Sequence, residues 1–91
     1  MTTAPEGLRI DKWLWHARFC KTRALAQRKT AAGLIRVNGQ RIEKASTLIR
    51  PGDVLTLPLA RSAIALRVLA LGVRRGPPAE ARALYEMLEG H

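Results

Sequence analysis

The sequence predicts one α+β domain, in which two N-terminal helices pack on a small antiparallel sheet and a further helix follows. Apolar residues near the N-terminus recur at helical spacing, whereas the middle of the chain alternates short apolar runs with turn-forming pairs. A segment of helix-forming composition comes last. Helices and strands that occupy separate stretches of sequence are typical of the α+β class, and 91 residues suit a single domain.

The first helix is predicted over about residues 9–19, because four apolar residues stand at i, i+3, i+4 and i+7: Ile10, Trp13, Leu14 and Ala17. Asp11 falls in its first turn, where a negative charge suits the helix dipole. Thr22 is a suitable N-cap for a second helix, which Gly33 can end. Two helices joined by so short a connection form a helical hairpin or a helix-turn-helix.

Short strands are predicted after the second helix, at residues 34–37, 40–42, 54–57 and 64–69. Asn38-Gly39 separates the first two strands, and this pair favours a tight hairpin because both turn residues adopt positive φ. Pro51-Gly52 stands in the order that a type II turn prefers. The middle of the chain is therefore predicted to form an antiparallel sheet.

The C-terminal segment is predicted to be a helix. Residues 79–88 have helix-forming composition, and their apolar side chains would share one helix face: Leu84, Met87 and Leu88. We therefore divide the chain into a flexible leader (1–7), a body (8–72), a linker (73–78) and a C-terminal helix (79–91).

The charge of the chain points to a polyanionic partner. Sixteen Lys and Arg against seven Asp and Glu give a formal net charge of +9. Fifteen of the basic and four of the acidic residues precede Pro77, so the body carries the positive charge. Nucleic acid is the first candidate partner and an anionic membrane surface the second. A basic surface that has no partner is the third interpretation.

No catalytic or metal site is visible in the sequence. Cys20 is the single cysteine, so no internal disulfide can form, and we expect a small buried hydrophobe rather than a nucleophile. His16 and His91 have no partners at ligand spacing, and the four acids before Pro77 form no acid–base pair. We therefore expect no enzymatic activity, no metal and no cofactor.

The sequence also favours a cytoplasmic location. No apolar run approaches the roughly 20 residues that a membrane span requires. Residues 1–7 lack the basic start and apolar stretch of a signal peptide. A lone cysteine is compatible with a reducing compartment. We expect no membrane partner.

An ordered set of short motifs resembles the S4 RNA-binding domain, and within that superfamily the bacterial heat shock protein 15 family. The resemblance covers about residues 8–57. Its motifs are Arg9-Ile10-Asp11-Lys12-Trp13-Leu14-Trp15, Ala17-Arg18-Phe19, Lys21-Thr22-Arg23, Ala26-Gln27, Gly33, Val37-Asn38-Gly39 and Pro51-Gly52-Asp53. Any one of these pieces is weakly specific, whereas the ordered set with its aromatic first segment is strongly specific.

The resemblance implies an S4-like fold, the alpha-L motif, whose two helices and β-hairpin grip structured RNA. It implies ribosomal RNA of the large subunit as the partner, and a role on free subunits that still carry peptidyl-tRNA after translation fails, as under heat stress. Loose binding of DNA is compatible with the family. We expect a monomer.

The residues themselves favour the same surface. Seven basic residues lie within the two helices and their connection, against Asp11 as the single acid, and Lys and Arg contacts to phosphate supply most sequence-independent affinity. Polar side chains nearby can add hydrogen bonds to phosphate, 2′-hydroxyl or base edges. The predicted RNA-binding residues are Arg9, Lys12, Arg18, Lys21, Thr22, Arg23, Gln27, Asn38, Gly39, Gln40 and Arg41.

Two aromatic residues of the first helix have different expectations. Trp13 lies on the apolar stripe and is expected in the core. Trp15 lies around the helix from that stripe, where it can stack on an RNA base, although packing under the strands or the C-terminal helix is the favoured interpretation.

The chain departs from the family in two places. Lys29 and Thr30 replace aliphatic residues late in the second helix, so this helix should pack less well, or Lys29 should add to the basic face. Longer family members continue with a basic tail, whose contacts we expect to be absent here.

Three alternatives compete with a free-standing RNA-binding protein, and the length of the chain excludes the first. An accessory module of an RNA-modifying enzyme would need a catalytic domain, for which 91 residues leave no room. A DNA-binding regulator would use the two helices as a helix-turn-helix. A basic membrane-surface protein would bind liposomes.

Overall fold

The computed structural model describes residues 7–58 and 62–88. Its helices are α1 (Ile10–His16), α2 (Arg23–Ala31) and α3 (Pro78–Arg82). Its strands are β1 (Leu8–Arg9), β2 (Ile35–Val37), β3 (Gln40–Ile42), β4 (Leu48–Ile49), β5 (Val54–Pro58), β6 (Ala63–Val68) and β7 (Tyr85–Met87). Most of the predicted leader, residues 1–6, and the last three residues of the predicted C-terminal helix lie outside the described residues.

Five strands form an antiparallel sheet in the order β3-β2-β5-β6-β7, and β1 pairs with β4 as a separate two-stranded ribbon. Apolar side chains from α1, α2 and this sheet meet in one core, which includes Leu14 of α1, Ala26 of α2 and Leu55 of β5. The α+β class with two N-terminal helices on a small antiparallel sheet is confirmed.

Both predicted turns occupy the backbone region that their residues favour. Asn38 and Gly39 have φ values of 52° and 85°, and β2 and β3 pair directly across them. Gly52 has φ 100°, as the second central residue of a type II turn requires. The sequence therefore identified the hairpin from local chemistry alone.

The first helix is shorter than predicted because its chain turns at Arg18. Arg18 adopts φ 66° and takes the place that glycine usually fills after a helix. The N–H groups of Arg18 and Phe19 donate to the carbonyls of Trp15 and Leu14, which closes the last turn of α1. The Arg18 guanidinium is held in turn, since its Nε donates to the carbonyl of Gly76 at 2.6 Å.

The predicted C-terminal helix over residues 79–88 is wrong beyond Arg82. Helix α3 ends there, and Tyr85–Met87 form β7, which pairs with β6. Without β7, strand β6 would be the edge of the sheet and would leave backbone groups unpaired on that side. An isolated helix of about ten residues gains little stability by itself. Burial of Tyr85 against Phe19, with ring centroids 4.8 Å apart, adds to the strand arrangement.

Trp13 is fully buried, which confirms its predicted place in the core. Its indole Nε1 donates to the carbonyl of Ala70 at 2.9 Å, so its polar atom is also satisfied. Its ring lies 6.0 Å from that of Phe19 and 6.4 Å from that of Tyr85. Trp13 therefore joins α1 to the C-terminal part of the chain.

The unusual residues of α2 pack in different ways. Thr30 is fully buried, and its hydroxyl donates to the carbonyl of Ala26 at 2.8 Å, which satisfies the polar group. Lys29 is half-buried beside a pocket of about 110 Å³ that Leu14, Cys20 and other apolar residues also line. Helix α2 therefore leaves a gap at Lys29.

Candidate nucleic-acid interface

Four side chains from the predicted RNA-binding region converge where α1 meets α2. Arg9 precedes α1 and Asp11 lies in its first turn, while Arg23 and Gln27 stand one turn apart on α2. We call these four residues the Asp11 cluster. It exists because α1 and α2 pack directly against each other and bring residues that are up to 18 positions apart in sequence to one carboxylate.

The Asp11 carboxylate receives donors from both sides. Arg9 donates from Nε to Oδ1 at 3.2 Å and from Nη2 to Oδ2 at 3.1 Å, which is the paired geometry of a guanidinium on a carboxylate. Gln27 Nε2 donates to Oδ2 at 2.9 Å. Arg23 Nε lies 3.6 Å from Oδ2, close enough for an ion pair but too long for a hydrogen bond.

Exposure differs sharply within the cluster. The Asp11 side chain is 0% exposed, whereas those of Arg9 and Arg23 are 45% and 41% exposed. The two guanidinium groups therefore lie between a buried anion and the solvent. One carboxylate balances only one of the two positive charges, so the cluster keeps a net positive charge.

The cluster also sets the ionisation of Asp11. Burial by itself raises the pKa of this carboxyl, but hydrogen bonds from Arg9 and Gln27, together with the charges of Arg23 and Arg9, outweigh it. The pKa of Asp11 therefore lies below its ordinary value of 3.8. The carboxylate is charged at neutral pH, and the two arginines keep their partner.

Other cations of α1, α2 and the connection between them have no acidic partner in the part of the chain that the structure describes. Lys21 and Arg28 are exposed, and Lys12 and Lys29 are half-buried. Unpaired surface cations attract phosphate at long range and release counterions on contact. Lys12 and Lys21 were predicted from the sequence, whereas Arg28 and Lys29 were outside the predicted set.

Thr22 has the capping role that its position predicted. Its Oγ1 accepts a hydrogen bond from the backbone N–H of Leu25 at 3.0 Å, at the start of α2. This cap fixes the turn on which Arg23 stands. Contact between Thr22 and RNA stays a prediction.

The hairpin residue Asn38 contacts the turn at Pro51-Gly52-Asp53 rather than the Asp11 cluster. Asn38 Nδ2 donates to Asp53 Oδ1 at 3.1 Å, and Asn38 Oδ1 accepts from the N–H of Val54 at 2.9 Å. The Asn38 amide thus ties the hairpin to the turn that contains Asp53. Gly39 and Gln40 are exposed, and RNA contacts by the three hairpin residues stay predictions.

Two predicted arginines have partners of their own. Arg41 pairs with Glu43 at 3.0 Å, and its guanidinium lies against Gly33, where any side chain would collide with it. Arg18 is directed to Gly76, in the C-terminal part of the chain. The structure therefore brings Arg9, Arg23 and Gln27 together and places Arg18 and Arg41 elsewhere.

Sequence reasoning missed the main role of Asp11, which it assigned to the helix dipole. The available signal was that Asp11 is the single acid among seven cations of this region. Trp15 is half-buried with its ring 5.8 Å from that of His16, and base stacking by Trp15 stays a prediction.

Two titratable residues, His16 at the end of α1 and Cys20 in the segment after it, are buried. Cys20 is buried as predicted, and this burial raises the pKa of its thiol, although the charge of Lys29 partly opposes the shift. His16 is buried, with Nδ1 3.2 Å from the carbonyl of Leu71. Residues 7–58 and 62–88 contain no group of three or more His, Cys, Asp and Glu side chains placed to hold a metal.

None of the helices within these residues is long and apolar enough to cross a membrane.

Comparison with known proteins finds relatives over most of the chain. Heat shock protein 15 of Escherichia coli is 43% identical over 79 residues, which cover 87% of this chain and 59% of that protein. The RQC P-site tRNA stabilizing factor of Bacillus subtilis is 36% identical over 61 residues, which cover 67% of this chain and 70% of that protein. The chain thus spans about 59% of the length of the E. coli relative.

A solved structure supports the same relationship. Heat shock protein 15 of Vibrio cholerae, described as trimeric, superposes with a TM-score of 0.85 at 36% identity, over 91% of this chain and 83% of that chain. The S4 domain profile matches residues 8–55, which include β1, α1, α2 and the β2–β3 hairpin. The resemblance to heat shock protein 15 is thereby confirmed, and the chain belongs to the S4 domain family.

Proposed function

We propose that the protein binds structured RNA of the ribosome through the surface that α1 and α2 form. The observation that carries the proposal is the Asp11 cluster, where two half-exposed arginines converge within the S4 segment. Lys12, Lys21 and Arg28 add cations without acidic partners among the described residues. Phosphate contacts of this kind supply most of the sequence-independent affinity of proteins for nucleic acid.

The role that we propose is more specific than RNA binding alone. We place the protein on the large ribosomal subunit, in recovery from stress or rescue of stalled translation. The names of the relatives support this: one is a heat shock protein and another stabilises tRNA at the P site. We further propose that it acts by binding alone, without catalysis, in the cytoplasm. The monomer expected from the sequence stays a prediction, because the trimer described for V. cholerae is a property of that protein.

The test is equilibrium binding of the full chain to a large-subunit ribosomal RNA transcript across a salt series. We expect affinity to fall steeply with salt, because several phosphates are neutralised together. Duplex DNA at the same salt is the matched competitor. Tighter binding to DNA would favour the helix-turn-helix alternative, and a flat salt response would contradict an electrostatic contact.

Two arginine variants locate the surface. We expect Arg23→Ala to weaken RNA binding about tenfold, the factor that corresponds to about 1.4 kcal/mol. The fold should survive, since Arg9 and Gln27 still donate to Asp11. Arg82→Ala removes an equal charge from an exposed position of α3 and should change affinity little.

Thermal unfolding of both variants shows whether each is folded under the binding conditions. Lys21→Ala, at an exposed position, serves as the second probe if Arg23→Ala melts too early. Equal small losses from the α2 and α3 variants would mean that net charge, rather than this surface, holds the RNA.

A further inference from the structure

Asp11 is an unusual residue for a surface that binds a polyanion. It adds a negative charge at the centre of the most basic part of the chain, and it is the single acid among the described residues of α1 and α2. A solvated acid there would oppose RNA binding by charge repulsion. The Asp11 carboxylate is instead fully buried and is capped by donors from Arg9 and Gln27.

We infer that Asp11 is a positioning residue, whose buried carboxylate holds Arg9 and Arg23 side by side so that their outward N–H groups form one clamp for an RNA phosphate. The inference rests on the proposed function. Asp11, although acidic, would thereby contribute to binding an anion, and the ligand of the Asp11 cluster is the backbone phosphodiester.

The number of donors supports a clamp. A guanidinium carries five N–H donors, and Arg9 uses Nε and Nη2 on the Asp11 carboxylate. Arg23 turns its Nε toward the same carboxylate, at 3.6 Å. Within residues 7–58 and 62–88, no other hydrogen bond uses the remaining N–H groups of either arginine, so these groups can form the forked hydrogen bonds that phosphate oxygens accept.

The charges support it as well. Two guanidinium groups repel each other, and a carboxylate between them offsets that repulsion while leaving one positive charge in excess. A phosphodiester carries one negative charge, so its arrival makes the cluster neutral. Because the carboxylate is excluded from water, its attraction for the arginines is screened less by solvent and salt than that of a surface acid.

Preorganisation is the expected benefit. A free arginine side chain loses much rotamer freedom when it binds, whereas Arg9 is already fixed on Asp11 by two hydrogen bonds. Gln27 anchors the same carboxylate from α2, so the distance between the two helices is fixed too. The cluster thus meets RNA with its geometry formed in advance.

The decisive variant is Asp11→Asn, because the positioning role and simple charge counting predict opposite signs. Removal of an acid raises the net charge, so charge counting predicts tighter RNA binding. The positioning role predicts weaker binding, by about tenfold for a charge-assisted contact. It also predicts that the slope of log K against log salt becomes shallower by about 0.7–0.9, as expected for one lost phosphate contact.

Glu86→Gln is the matched control. Glu86 is a half-exposed acid of β7 that pairs with Arg67 at 2.7 Å, outside the S4 segment. This variant gains the same charge as Asp11→Asn and should bind the large-subunit RNA transcript as tightly as the parent chain or slightly more tightly. Both variants are measured at a temperature where circular dichroism shows them folded.

A background variant separates positioning from a loss of structure. In a chain with Arg9→Ala and Arg23→Ala, Asp11 has no arginine of the cluster left to hold, so Asp11→Asn should weaken RNA binding no further. A full tenfold additional loss there would show that Asp11 supports the fold rather than the clamp, and it would overturn the inference.

The Arg9→Lys variant tests the same positioning role if the Asp11→Asn variant does not fold. Lysine preserves the charge but cannot hold both carboxylate oxygens and still present a fork. We expect a severalfold loss of affinity at unchanged net charge, and unchanged affinity would overturn the inference. Failure of the parent chain to bind RNA would instead contradict the proposed function, so the two failures are distinguishable.

Discussion

The α1–α2 region and the C-terminal region both carry arginines, but they place their acidic partners differently. In the α1–α2 region, two arginines share the buried carboxylate of Asp11. In the C-terminal region, Arg74 pairs with Glu80 and Arg67 with Glu86, each one to one at 2.7 Å between half-exposed or exposed side chains. In an exposed one-to-one pair, the acid neutralises its arginine. The shared buried acid instead leaves one positive charge in excess and holds the two guanidinium groups in place.

The comparison teaches that the number of arginines does not identify a binding surface. The relevant difference is whether the acidic partner of an arginine is buried and shared by two arginines, or exposed and paired with one. Exposed pairs contribute little to stability and are screened by salt. A buried shared acid holds its two arginines in a fixed arrangement.

The largest effect is expected at Trp13, which joins the two regions. Trp13→Ala removes the ring contacts to Phe19 and Tyr85 and the hydrogen bond to Ala70, and it should lower the free energy of unfolding by about 3–5 kcal/mol. Chemical denaturation followed by circular dichroism measures the loss. Trp13→Phe keeps much of the apolar contact and should lose clearly less. A nearly unchanged midpoint for Trp13→Ala would mean that the two regions are stable independently.

A smaller effect is expected at the start of α2. Thr22→Ala removes the hydrogen bond that caps this helix and should cost about 1 kcal/mol of stability. It should also weaken RNA binding modestly, because Arg23 stands on the capped turn. Thr22→Ser keeps a capping hydroxyl and should behave like the parent chain in thermal unfolding. Equal losses from Ala and Ser would rule out the cap as the cause.

The smallest effect is expected at Glu80, and it sharpens the contrast with Asp11 through pH. The hydrogen bond from Arg74 lowers the pKa of Glu80, burial opposes this shift, and the charge of Arg74 lowers the pKa further. The pKa values of both carboxyls are thus lowered in the folded state, so each contributes stability above its unfolded pKa. That stability is lost as the pH falls through the folded pKa.

Water screens the exposed Glu80 pair but not Asp11, so the two losses should differ in size. We expect Asp11→Asn to flatten the decline in stability as the pH falls below about 4, and Glu80→Gln to leave this decline nearly unchanged. Thermal unfolding at intervals across that range measures both. An equal flattening by the two variants would show that burial of Asp11 adds nothing.

The sequence predicted much of the fold because the signals were local. The apolar spacing of α1, the cap at Thr22 and the Asn38-Gly39 turn each act within a few residues, and the structure has all three. The end of α1 was misplaced because Arg18 occupies a conformation that usually marks glycine. Its stabilising contact comes from Gly76, 58 residues away, which no local pattern reveals.

The C-terminal segment shows where local reasoning fails. Residues 79–88 have helix-forming composition, yet the free edge of β6 captures Tyr85–Met87 as a strand. Backbone pairing with an existing sheet outweighs intrinsic helix propensity, which is worth only a few tenths of a kcal/mol per residue. The apolar face expected for Leu84, Met87 and Leu88 therefore does not form.

The sequence by itself determined the class of the fold, the basic character of the α1–α2 region and the type of residues that we propose for RNA contact. Composition and short-range spacing suffice for these, because they depend on single elements and on total charge. The tertiary structure decided which arginines share an acid, since this depends on how α1 packs against α2. Asp11 and Gln27 lie 16 residues apart in the chain, and only that packing brings their side chains to 2.9 Å.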